Sequence, residues 1–434
     1  MASTAGGALC ACIILTTGCD SKPKPTAQAV GQQILFDASL SAASNQACAD
    51  CHGDSVGGTG PDEAINVAGA VYEGSVAGRF GNRKPPATNY ATLAPLLTID
   101  ADGTVRGGNF WDGRATGWLL GLPAIDQAQG PFLNPLEQAL PSGTEVVTRV
   151  CQSEYAPAFR AVAGTSACND PTQGFDAVAQ TIAAYEGSPQ LNAFSSKLDA
   201  FRAGHATLSP AEALGLSLFE GKAGCNRCHP SEPGPNGEPP AFTDFTFDNL
   251  GVPRNPQSFF YAEYELIVDG APVNPLGRKW VHEGLGGFLA TLTTADDWRA
   301  QPFVPDAFRT ITHEALEQLA AQNRGKQRVP TLRNVDKRPA PTFVKAYTHN
   351  GWFKSLASLV HFYNTRDVLP ACPSAFTTEE DALAQGCWPP PEIEETVNRE
   401  ELGHLGLSAD EEAALVAFLG TLSDGWSPSL VPSP

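Results

Sequence analysis

The chain has 434 residues, enough for two or three domains, and 42% of them are hydrophobic, which supports packed cores between the many loops that 42 Gly and 36 Pro imply. A formal net charge of −19 at pH 7 excludes the basic surface a nucleic-acid binder needs; it fits plain solubility or a basic protein partner.

Residues 1–19 read as an export signal. Ala8 to Leu15 is apolar but too short to span a bilayer, and no transmembrane segment is read elsewhere. Leu15-Thr16-Thr17-Gly18-Cys19 is similar to a bacterial lipoprotein cleavage site with Cys19 as the lipidated residue. No Lys or Arg precedes the apolar run, so an ordinary export signal or a misplaced start codon stays open. A lipid on Cys19 is the one membrane contact expected. Residues 20–28, with Lys22-Pro23-Lys24-Pro25, read as a linker. The expected location is the periplasm, whose oxidising conditions permit disulfides. Cys151 with Cys168, and Cys372 with Cys387, bracket short loops that either pair can close.

Val30, Ile34 and Phe36 stand at helical spacing, followed by Leu40 and then Cys48-Ala49-Asp50-Cys51-His52. A second helix begins at Ser209-Pro210-Ala211-Glu212, passes Leu218-Phe219-Glu220 and reaches Cys225-Asn226-Arg227-Cys228-His229. C-x-x-C-H is the attachment pattern of c-type haem. Two thiols bond the porphyrin and the adjacent His supplies the proximal nitrogen. One copy alone would also suit zinc or a redox pair. Two copies behind like lead-ins point to two haems on a duplicated domain.

The lead-in Gly31-x-x-x-Leu35-Phe36-Asp37-x-x-Leu40-Ser41 with its haem motif resembles the bacterial dihaem cytochrome c peroxidase / MauG family. Later segments carry the same likeness. They are Phe110-Trp111-Asp112-Gly113-Arg114, Asp126-Gln127-Ala128 through Pro131 to Asn134-Pro135-Leu136-Glu137, Arg328-Val329-Pro330-Thr331-Leu332-Arg333-Asn334, and Tyr347-Thr348-His349-Asn350-Gly351. The resemblance spans roughly residues 29 to 425. It implies an all-α fold with long loops: an N-terminal cytochrome c domain over 29–204 holding the peroxide-reactive haem, and a C-terminal one over 205–434 holding an electron-transfer haem. Residues 117–124 and 257–328 read as insertions relative to shorter members.

The resemblance also implies roles. Cys48 and Cys51 bind one haem, Cys225 and Cys228 the other, with His52 and His229 as axial ligands. Gln127, Pro131 and Glu137 line the distal face of the first haem, where a carboxylate moves a proton between the peroxide oxygens and an amide orients them. Trp111 lies between the haems as an electron relay. Many members block the first iron with a loop His until they are reduced; here no His occurs between His52 and His205, so the distal side should be open without reductive activation. The family's calcium-holding Asn falls on Lys84, a cation that cannot ligate calcium, so calcium is doubtful here.

Ordinary members bind the second iron with a Met. The only Met here is Met1, which excludes that ligand in a processed chain. The position falls on Tyr363, a phenolate donor that disfavours reduced iron. His361 competes, but two residues on a helix point about 200° apart, and Tyr363 shares the apolar face of Leu356, Leu359 and Val360. His282 and His313 read as ordinary loop or helix residues. The expected activity is reduction of hydrogen peroxide to water through a high-valent dihaem state, with electrons from a c-type cytochrome or cupredoxin. The alternatives are oxidation of residues on a substrate protein, as MauG does, and a pure electron carrier, which would not need Glu137 or Gln127.

Overall fold

Short polar side chains set where the main helices begin. Thr26, Ser142, Asp170, Ser209, Ser355 and Ser408 each accept a backbone N–H from the first turn that follows. The helices that matter here are α1 (Ala27–Leu35), α2 (Pro123–Leu133), α3 (Gly143–Gln152), α4 (Ala156–Ala163), α5 (Pro171–Glu186), α6 (Pro210–Glu220), α7 (Gly284–Thr291), α8 (His313–Gln322), α9 (Leu356–Thr365) and α10 (Ala409–Gly420). Among the described residues the strands are two residues long and pair antiparallel, such as Phe247–Asp248 with Gln327–Arg328, besides a few isolated bridges. The fold is thus mostly α with long loops. This computed structural model describes Met1 and residues 24–234, 237–268 and 270–428. Cys10, Cys12 and Cys19 lie outside the described residues. Among the described residues no helix is long and apolar enough to cross a membrane.

Two cores follow the internal duplication. In the first, Val30 and Ile34 of α1 pack on Val178 and Ile182 of α5, with Phe132 and Phe159 filling the rest. In the second, Leu218 and Phe219 of α6 pack on Leu415 and Phe418 of α10, with Phe242, Trp352 and Phe362. In each, the helix before the haem motif crosses the closing helix at a glycine. A Cβ on Gly31 would stand 1.8 Å from Thr181 O, and one on Gly215 would stand 2.0 Å from Ala414 O. Backbones meet there, so no side chain fits.

Those glycines correct one detail of the sequence reading. Counting from Gly31 and Gly215, the match for Leu218-Phe219 is Ile34-Leu35. Phe36 lies past the helix end and is 57% exposed, whereas Phe219 is buried. The shared letters Leu-Phe were one position out of register. The stretch from Glu145 to Val162 is two helices, α3 and α4, broken at Ser153, whose backbone is extended.

The two insertions pack on each other. Trp118 stacks on Trp298 at 5.3 Å and on Phe308 at 4.8 Å, and Phe303 N–H donates to Trp118 O. With Leu285, Leu289, Leu316, Leu97 and Phe247 they form a third apolar core. It ties the two halves together and fixes how the cavities below face one another. Cys151 is joined to Cys168, and Cys372 to Cys387.

Candidate active site

Each half lines a mostly apolar, partly open cavity against its C-x-x-C-H turn. The turns are short 3-10 segments, Cys48–Asp50 and Cys225–Arg227, which aim both thiols and the following His inward. The four thiols are free. Burial pushes the thiols up, to about 12 for Cys48, Cys225 and Cys228.

The histidines are oriented alike. His52 Nδ1 lies 2.9 Å from Gly58 O, and His229 Nδ1 lies 2.8 Å from Phe242 O. A carbonyl only accepts, so Nδ1 carries the hydrogen and Nε2 keeps its lone pair. That is how a metal-binding imidazole is held. In the second cavity Arg328 is half-buried, its Nε buried without a hydrogen-bond partner, and desolvation lowers it to about 10. A buried guanidinium N–H left without an acceptor suits an anion, and haem carries carboxylates. Paired thiols, free imidazole nitrogens and this orphaned N–H all fit a covalently held haem in each cavity.

The first cavity gathers Gln127, Pro131 and Glu137. Gln127 and Pro131 are four apart on α2, hence on one face. Proline has no N–H, so it cannot bond the Gln127 carbonyl, and the helix ends two residues later. The turn that follows brings back Glu137, whose Oε1 accepts from Asn134 Nδ2 at 2.8 Å. Burial raises the Glu137 carboxyl, while Arg114 and Arg83 oppose that rise. A carboxyl nearer neutrality both takes and returns a proton readily. The amide of Gln127 makes no hydrogen bond among the described residues and is available to a ligand. His52 is the only imidazole in the cavity lining.

Tyr363 lines the second cavity with Cys225, Cys228 and His229. His361 does not; its Nδ1 pairs with Glu412 at 3.1 Å on the other side of α9. Burial raises the Tyr363 phenol, so only a strong positive charge beside it would yield phenolate. Trp111 lines both cavities, and its Nε1–H donates to Lys84 O at 2.8 Å. The next residue, Asp112, pairs with Arg83 and Arg114; burial alone would raise its carboxyl, but the two guanidiniums hold it below its ordinary range. Lys84 is buried, and its Nζ donates to Thr59 Oγ1 at 2.6 Å and Pro85 O at 3.0 Å. Burial lowers it to about 7.

Several residues at these cavities escape sequence reasoning. His282 is buried, not an ordinary loop residue: it lines the second cavity, accepts from Arg83 Nε at 3.0 Å and packs on His349, with ring centres 4.5 Å apart. It packs on Trp280 and on the distant His349, contacts that no local pattern announces. His313 does behave as read, exposed at the start of α8 and beside Glu317. Glu186 lines the first cavity. One signal existed for it: a carboxylate in the last turn of a helix opposes the helix dipole and wants another reason to be there.

Two haem-ready cavities bridged by one tryptophan define a dihaem c-type cytochrome with a peroxidase-like first site. Comparison with known proteins gives the family. Residues 25–207 match the family described as di-haem cytochrome c peroxidase. The chain is 31% identical to methylamine utilization protein MauG of Paracoccus denitrificans, covering 91% of this chain and 88% of that one. It is 28% identical to cytochrome-c peroxidase IdrP1 of Denitromonas iodatirespirans, covering 91% and 81%. The crystal structure of the diheme peroxidase BthA from Burkholderia thailandensis superposes with a TM-score of 0.66 at 25% identity, covering 93% and 87%. The chain belongs to the dihaem cytochrome c peroxidase family, which makes it a peroxidase-class oxidoreductase with two c-type haems.

Proposed function

We propose that the protein is an exported, periplasmic peroxidase that reduces hydrogen peroxide to water, with electrons from a small c-type cytochrome or cupredoxin. The observation that carries this reading is the convergence of Glu137, Gln127 and Pro131 on the cavity in which His52 is the only imidazole. When bound, the first haem supplies the iron at which the peroxide O–O bond is broken. Gln127 orients the peroxide by hydrogen bonds. Glu137 takes the proton from the oxygen nearer the iron and returns it to the farther one, which leaves as water. Trp111, shared by both cavities, passes electrons between them. His229 and Tyr363 hold the second haem, with Cys225 and Cys228 as its tethers, as Cys48 and Cys51 are for the first.

Lys84 bears on calcium. Its ammonium sits beside the bridging Trp111 on two neutral oxygens, and we read it as the occupant of the space a bridging cation would need. Catalysis should then survive chelation. Cys19 remains the proposed lipid attachment point.

One observation favours a second reading. Tyr363 in the second cavity would favour oxidised iron, which suits storing an oxidising equivalent for use on a partner protein, as a MauG-type enzyme would. Steady-state peroxide turnover with reduced cytochrome c, compared with the lifetime of the oxidised protein without donor, separates the two. Fast turnover supports the peroxidase; slow turnover with a long-lived oxidised state supports protein oxidation.

A further inference from the structure

The first cavity holds a second carboxyl that the scheme above does not use. Glu186, the last residue of α5, is 3% exposed and lines the cavity with Cys48, Gln127 and Glu137. Its Oε2 is buried without a hydrogen-bond partner, and no ion pair reaches it among the described residues. A second residue lining the same cavity also lacks a donor. Gln138, the residue after Glu137, is also 3% exposed, its Oε1 has no donor, and its Nε2 lies 4.0 Å from Cys48 Sγ. Both Glu186 and Glu137 act electrostatically on Cys48, Glu186 more strongly, so all three groups share one edge of the cavity.

The surroundings explain why Glu186 stays uncharged. Helix α1, packed along α5, carries no charged residue. On α2, Asp126 accepts the backbone N–H of Leu119 and Leu120. On α3, Glu145 and Arg149 pair with each other. Asp176, on α5 itself, accepts from Gln129. The cations lining the cavity, Arg83, Lys84 and Arg114, are bound to Asp112 or to Thr59 and Pro85. Burial with no compensating cation pushes the Glu186 carboxyl up to about 8. At neutral pH it therefore carries a proton.

Peroxide reduction consumes protons. Hydrogen peroxide, two electrons and two protons give two waters, whereas Glu137 only shifts a proton already on the peroxide. Another acid must supply the protons used. We propose that Glu186 is a second acid of the peroxide site, a proton-relay residue that hands protons toward Glu137 along the Gln138 edge and is recharged from solvent. The electrons come from the same small redox donor, which is oxidised as the peroxide is reduced. This inference rests on the peroxidase reading.

Glu186→Gln keeps the shape and removes the proton. It should lower peroxide turnover at saturating donor by about 10²-fold and abolish the loss of rate expected of wild type as pH rises past about 8. An infrared difference spectrum of the holoprotein should show a protonated-carboxyl band in wild type at neutral pH that is absent from the variant. A wild-type pH profile in Glu186→Gln, or no difference band, overturns the proposal. Should that variant not assemble with both haems, Glu186→Asp decides: retention of the alkaline limb supports the relay, and a flat profile overturns it. Glu137→Gln is the control for the underlying reading. If it too leaves peroxide turnover intact, the peroxidase site itself is misplaced; if it alone abolishes turnover, only the role of Glu186 falls.

Discussion

The two cavities are built on one frame and differ in what faces the ligand side. Both have a C-x-x-C-H turn, a His whose Nδ1 is tied to a carbonyl, and a glycine where two helices cross. The first then offers two carboxyls, Glu137 and Glu186, with the hydrogen-bonding amide of Gln127. The second offers Tyr363, a phenol lining the cavity. The attachment chemistry occurs twice, and on the proposed reading a few side chains on α2, the turn after it, α5 and α9 set which copy reacts.

That contrast can be broken most severely at Glu137. Glu137→Gln should slow the reaction of the ferric protein with peroxide by about 10² to 10⁴-fold, measured by stopped flow, while both haem spectra stay unchanged. Tyr363→Phe should do the reverse, altering the absorption of the second haem while leaving the initial peroxide reaction of the first within about twofold, the small change expected of a group that does not touch the reacting oxygens. An unaltered spectrum would remove Tyr363 as a ligand. The shared frame is tested by Gly31→Ala and Gly215→Ala, each expected to cost about 1–3 kcal/mol in thermal or denaturant unfolding because the helices must separate. Equal costs would support structural equivalence of the two crossings. The smallest effect belongs to His361→Ala, which loses a part-exposed pair with Glu412, should cost under about 1 kcal/mol, and should leave the second haem spectrum as it was.

Much of this arrangement is legible in the sequence because covalent haem attachment forces a fixed local pattern. Cys48 to His52 and Cys225 to His229 announce themselves, and so do the capped helices at Ser209, Ser355 and Ser408, whose signals lie within one turn. Tyr363 is picked out by the family resemblance, and helix geometry with the apolar stripe then separates it from His361. What could not be read depends on contacts far apart in the chain. Trp118 meets Trp298 across 180 residues of sequence, and His282 is buried against Trp280 and His349 where local polarity suggested a loop. Glu186 looks like a solvated helix end, yet it is buried against the first cavity. The Leu-Phe register was misjudged because letters were matched, where the crossing glycines mark the true equivalence.

The most direct test of the account is to mix the fully ferric protein with hydrogen peroxide in a stopped-flow spectrometer, without reductant. An open first site with Glu137 and Gln127 in place predicts immediate reaction, spectral change at both haems through Trp111, and loss of that reaction in Glu137→Gln. Reaction only after one haem has been reduced would contradict it.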